Sequence, residues 1–206
     1  MNQAALSALG TGFFSSVALI MAIGAQNTFV LRQGLKREHV GLIVLICCTC
    51  DVVLVAVGVA GLGAAIGAQA WLVNLLRYGG AVFLAGYALL AARRAFSSYT
   101  LDIASKTVPI SARAAAMATL GFTLLNPHVY LDTVLLLGAL GAQQPGALRW
   151  LFLAGCSVAA VLWFASLGYG ARVLAPLFAR PMAWRVLDAA VAVLMMALAL
   201  LLLLKQ

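Results

Sequence analysis

The sequence predicts an all-α polytopic membrane protein, with six transmembrane helices set as two inverted three-helix repeats and the first helix of each repeat broken or kinked. Three observations carry this expectation. The 206 residues are 65% hydrophobic and 9% charged, with mean hydropathy +1.09, whereas a soluble domain is about 45–50% apolar and about 25% charged. The apolar residues gather into six runs, each close to the about 20 residues that one bilayer crossing needs. The first run of each half is interrupted by an asparagine, at Gly24-Ala25-Gln26-Asn27 and at Leu125-Asn126-Pro127. With 13 basic and 5 acidic residues, the chain cannot cover a water-facing surface. A soluble enzyme, a disordered segment and a disulfide scaffold are thereby excluded.

Taken in order, the runs are about 5–31, 40–61, 68–92, 114–139, 148–171 and 186–204. The first follows Met1-Asn2-Gln3, which has no basic side chain, and it outlasts the h-region of a secretory signal. It reads as a permanent span. The longest polar stretch, about 96–113, separates repeat 1 (about 1–95) from repeat 2 (about 114–206) within one transporter domain spanning 1–206. Arg32, Lys36 and Arg37 follow span one; Arg93, Arg94, Lys106 and Arg113 follow span three; Arg172, Arg180 and Arg185 follow span five. Only Arg77, Arg149 and Lys205 fall on the other side. Basic loops stay in the cytoplasm, so the linker is expected there and both termini outside. Basic residues placed this way set topology and make no nucleic-acid face.

Polar groups sunk in hydrocarbon are costly and mark cavities or partners. Pro127 has no N–H to give, and its ring clashes with the preceding turn, so span four must kink or open there. Gly24 allows a similar break in span one. Backbone opened at membrane depth is tolerated where it lines a cavity, and the half-helix beyond it offers N–H groups suited to a carboxylate. Asp51 lies about 16 Å into span two, near the midplane, and Asp132 follows the second break by six residues. Two carboxylates near broken helices suggest a site for a cation, a proton, or both in alternation. Asp132 has a competing use as a partner for Arg149 or Arg77. His128 is a candidate proton shuttle or a hydrogen-bonded filler of the opened backbone, and Tyr130 and Gln26 are candidates for orienting hydrogen bonds. Asp188, three residues from Arg185, is expected to pair with it locally.

Cys47, Cys48, Cys50 and Cys156 all lie in apolar runs, which implies no disulfide framework. Cys47 and Cys50 share a helical face with Asp51 nearby, which keeps a divalent-metal exporter open as a rival. Cys48 and Cys156 on different spans do the same for a membrane thiol–disulfide carrier. No second ligand pair stands at zinc-like spacing, and the glycines read as close helix packing. Neither a metal centre nor a cofactor is expected, and nothing points to enzymatic chemistry.

Two strings resemble a known family. GAQNTFVLRQGLKREHV (24–40) is similar to a signature of the LysE family of amino-acid exporters, in its lysine/arginine-exporting branch, and GFTLLNPHVYLDT (121–133) resembles that branch's fourth-span motif. CxxCD ending at Asp51 and WRVLD ending at Asp188 resemble its second and sixth spans, so the likeness runs the length of the chain. The neutral-amino-acid (RhtB-like) branch carries Gly-Pro-Asn and Asn-Pro-Lys at the two breaks, where this chain has Gly-Ala-Gln-Asn and Asn-Pro-His. Exchanging an intramembrane Lys for His and adding Asp132 suits a cationic substrate. The resemblance implies export of L-lysine or L-arginine across the bacterial inner membrane, driven by protons or the membrane potential. The expected partners are the amino acid, protons and the lipid bilayer, with room for a homodimer. Expected substrate contacts are Asp51, Asp132, Asn27, Asn126 and Gln26, with Asp51, Asp132 and His128 as proton carriers and Gly24 and Pro127 as the breaks.

Overall fold

A computed structural model gives the architecture and describes residues 3–21, 24–61, 70–96, 109–126, 129–174, 176 and 181–204. They form eight helices, here α1 (Gln3–Ile20), α2 (Ala25–Lys36), α3 (Val40–Val59), α4 (Ala70–Phe96), α5 (Ala112–Leu124), α6 (Tyr130–Ala142), α7 (Leu148–Gly170) and α8 (Pro181–Leu204). Among these, α1, α3, α7 and α8 are long and apolar enough to cross a membrane. The first eight residues of α6, Tyr130–Leu137, are π-helical, a form that concentrates at functional sites.

Local chemistry explains the ends. At the N-terminus of α2, Gly24 is extended (φ −127°, ψ 179°), and its carbonyl accepts from both the backbone and the hydroxyl of Thr28. At the other end Arg37 turns left-handed (φ 59°), with its N–H on the Gly34 carbonyl and the Glu38 N–H on Gln33. These bonds satisfy carbonyls that the last helical turn leaves open. His39, also left-handed (φ 50°), completes the reversal into α3. Ser111 caps α5 by accepting from the Ala114 N–H at 3.2 Å.

Several boundaries differ from expectation. The polar residues Arg32 and Lys36 belong to α2, Arg93 and Arg94 form the last turn of α4, and α8 begins at Pro181. Helices continue beyond the apolar runs because the basic heads are accommodated there, Arg32 buried against the Asp188 carboxylate and Arg93 exposed. The principal pairings are α4 with α8, α1 with α7, and α3 with α7. Glycines permit the closest of these. A Cβ at Gly155 would collide with the Leu9 carbonyl of α1, and one at Gly12 with the Phe152 carbonyl of α7. Gly58 and Gly138 meet in the same way between α3 and α6. In lipid such contacts supply packing that the hydrophobic effect does not.

The ends rich in basic residues come together. Arg32 of α2 and Arg94 of α4 both bond the carboxylate of Asp188 near the start of α8, and the His39 ring meets the Ile110 carbonyl before α5 at 2.8 Å. This corrects the expected Asp188–Arg185 pair. Asp188 is completely buried and faces α2 and α4 rather than the preceding turn of its own helix, while Arg185 Nε has no hydrogen-bond partner among the described residues.

Candidate functional site

A cavity of about 220 Å³ lies between α1, α2, α3, α6 and α7, with Leu198 of α8 also on its wall, just under the volumes usual for small-molecule sites. The two interruptions form its walls. Gly24, Ala25, Gln26 and Asn27 line it at the first, and Asn126 and Val129 at the second. Asp51 of α3 and Asp132 of α6 face the same space, with Thr133, Ser16 and Ser157. Residues far apart in sequence are thus assembled in one place. Pro127 and His128 lie outside the described residues, as does the Arg77 side chain, so no position is assigned to them.

The cavity's charge is one-sided. No Lys, Arg or His is among its described lining residues, against two carboxylates. Asp51 is buried, and no hydrogen bond to it is found among the described residues. A carboxylate left so is costly unless it meets a cation or a proton. Gln26 is also buried, and its amide nitrogen has no hydrogen-bond partner among the described residues. Arg149 donates to the Gly146 carbonyl at 3.0 Å.

The two breaks are built alike. After the first, Asn27 Nδ2 donates across the gap to the Ile20 carbonyl that ends α1, at 2.8 Å, while its Oδ1 accepts from Trp163 Nε1 at 3.2 Å. After the second, the Tyr130 hydroxyl donates to the Leu124 carbonyl that ends α5, at 3.0 Å. Each side chain reaches back to a carbonyl that the interrupted helix cannot satisfy. The polar groups of Asn27 are therefore engaged in holding the break. Sequence reasoning missed Trp163, since a tryptophan within an apolar run carries no signal that its N–H is needed elsewhere.

The two half-helix starts differ. The first turn of α2, which lines the cavity, has no acidic residue, and its N-cap, Gly24, offers no side chain to offset the helix end. The first turn of α6 carries its own acid, Asp132. One end suits an incoming anion; at the other a carboxylate is already present.

The thiols do not make a metal centre among the described residues, where no three His, Cys, Asp or Glu side chains cluster. Cys156 lines the cavity and donates to the Gly12 carbonyl, and Cys47 is fully buried.

Known proteins resemble this chain over most of its length. A protein of Mycobacterium bovis named as an amino-acid transporter is 50% identical over 89% of this chain and 90% of its own length. YggA of Aeromonas salmonicida, also named as an amino-acid transporter, is 40% identical over 92% of each chain. The arginine exporter protein ArgO of Salmonella enteritidis is 40% identical over 89% of this chain and 87% of its own. No solved structure matches. The LysE type translocator family model matches residues 17–206, and the chain belongs to that family, as a membrane transporter and not an enzyme.

Proposed function

We propose that the protein is a secondary active exporter of a basic amino acid, L-arginine or L-lysine, from the bacterial cytoplasm. The observation that carries this reading is the buried Asp51 carboxylate, facing with Asp132 a cavity whose described lining holds no basic side chain. The substrate's α-carboxylate meets the N–H groups of the α2 first turn, with the Gln26 amide beside them. Its ammonium or guanidinium reaches Asp51, with Asp132 at the other break. Asn126 contributes at the second break, and Asn27 acts through the backbone that it holds. The similarity to an arginine exporter supports the same substrate class.

In this reading the chain crosses the inner membrane six times as two inverted repeats, basic loops inside and both termini outside. The paired side-chain links across the breaks support the repeat. Alternating access follows from one repeat moving against the other. A potential negative inside opposes the exit of a cation by about 2.3 kcal/mol per 100 mV, so export calls for proton exchange or a cytoplasmic excess. Asp51, Asp132 and His128 are the proton carriers in this scheme.

The test is efflux from proteoliposomes loaded with arginine. Asp51→Asn removes a charged contact worth about 1.5–3 kcal/mol, so half-saturation should rise roughly 10- to 100-fold. Wild-type efflux from the variant, with unchanged pH dependence, would overturn the assignment.

A further inference from the structure

Between the cavity and the basic end of the bundle stand two layers of side chains that do not line the cavity. The first is aromatic. Phe29 of α2 packs on Phe122 of α5 with ring centroids 5.1 Å apart, and Tyr87 and Phe83 of α4 meet the same Phe122 edge-on at 4.7 and 4.9 Å. Phe29 and Phe122 are buried. The second is ionic: the buried Asp188 carboxylate of α8 takes Arg32 of α2 and Arg94 Nε of α4, the latter at 3.3 Å. The Arg94 guanidinium lies over the Tyr87 ring, 5.4 Å from its centroid, and joins the layers. Counting along α2 from Gln26 in the cavity wall, Phe29 and Arg32 follow at about 4 and 9 Å.

We propose that these two layers are the gate between the cavity and the basic end of the protein, shut in this structure, and that α2 moves to open it. The inference rests on reading the cavity as the transport site. One carboxylate ties three helices at a single point on the route. Of these, α2 is set off from α1 by the break at Gly24 and tied back to it through the Asn27–Ile20 bond, a link about which it can pivot. The ionic layer is also incompletely satisfied among the described residues, where Arg94 Nη2, Asp188 Oδ2 and the neighbouring Arg185 Nε are buried without hydrogen-bond partners. Buried polar groups in a permanent staple are nearly always paired. Here the unpaired atoms would meet water when the layer parts, which offsets the cost of separating the ions. At the end of α2, burial outweighs the nearby Glu38 and lowers the Lys36 pKa from its usual value.

The experiment reads access rather than transport. In a variant retaining Cys156 alone, a membrane-impermeant cationic methanethiosulfonate is added to right-side-out and to inverted vesicles. With the gate intact, Cys156 should react poorly from the basic side. Asp188→Asn and, separately, Phe29→Ala should each raise that rate on the order of tenfold, as expected for a shifted two-state equilibrium. If Asp188→Asn does not fold, Phe29→Ala decides. Fast labelling from the basic side without any substitution, or rates that neither variant changes, would overturn the gate. Labelling as expected in a protein that exports no basic amino acid would leave the gate standing and reject the substrate.

Discussion

Substituting Asn27 separates a residue that touches substrate from one that shapes the site. Its side chain joins three elements: it donates to the Ile20 carbonyl at the end of α1, accepts from Trp163 on α7, and sits in the first turn of α2. Asn27→Ala removes two hydrogen bonds worth about 1 kcal/mol each and leaves a carbonyl and an indole N–H wanting partners. The loss should total about 2–4 kcal/mol, or on the order of 5–15 °C in Tm. Trp163→Phe removes one of the two bonds and should cost about 1–2 kcal/mol. The cavity would then lose its shape, so arginine efflux should fall in both variants. The decisive quantity is the double-mutant cycle on thermal stability in detergent. Because both substitutions break the same bond, their costs should be less than additive by about 0.5–2 kcal/mol. Additive costs, or an Asn27→Ala protein of wild-type stability that has lost arginine binding, would refute the positioning role and make Asn27 a direct contact.

Three further outcomes follow. Tyr130→Phe deletes only the donor to the Leu124 carbonyl and should cost about 1 kcal/mol in Tm measurements; no change in stability would mean that water satisfies this carbonyl equally well. Gly58→Leu places a side chain where α3 meets Gly138 of α6 and should destabilise by about 1–3 kcal/mol or more, seen as loss of the monodisperse detergent-solubilised species. Replacing Cys47, Cys48, Cys50 and Cys156 together by Ala should leave arginine efflux within about threefold of wild type, a difference under about 1 kcal/mol; abolished efflux in a protein that still folds would revive thiol or metal chemistry.

The membrane class was legible because composition alone decides it, and the two helix interruptions because Gly and Asn-Pro are strong local punctuation. Asp51, Asp132, Gln26 and Asn126 stood out since polar groups are scarce in these runs, and the fold brings them to one cavity. Local rules failed where the partner is distant. Arg185 sits three residues from Asp188, but burial turned that carboxylate toward Arg32 and Arg94, 156 and 94 positions away. The π-helical turn at Tyr130–Leu137 was equally hidden, because a wider turn depends on what packs on it rather than on residue type. Asn27 illustrates both sides. Its chemistry marked it as functional, whereas its bonds to Ile20 and Trp163 required knowing which helix ends come together.

The most direct measurement compares L-arginine with L-citrulline, its uncharged near-isostere, in equilibrium binding to the purified protein. A cavity that pairs the cationic end with a buried carboxylate should favour arginine by roughly 10- to 100-fold, with most of that preference lost in Asp51→Asn. Equal affinity for the two, or a preference that survives the substitution, would contradict it.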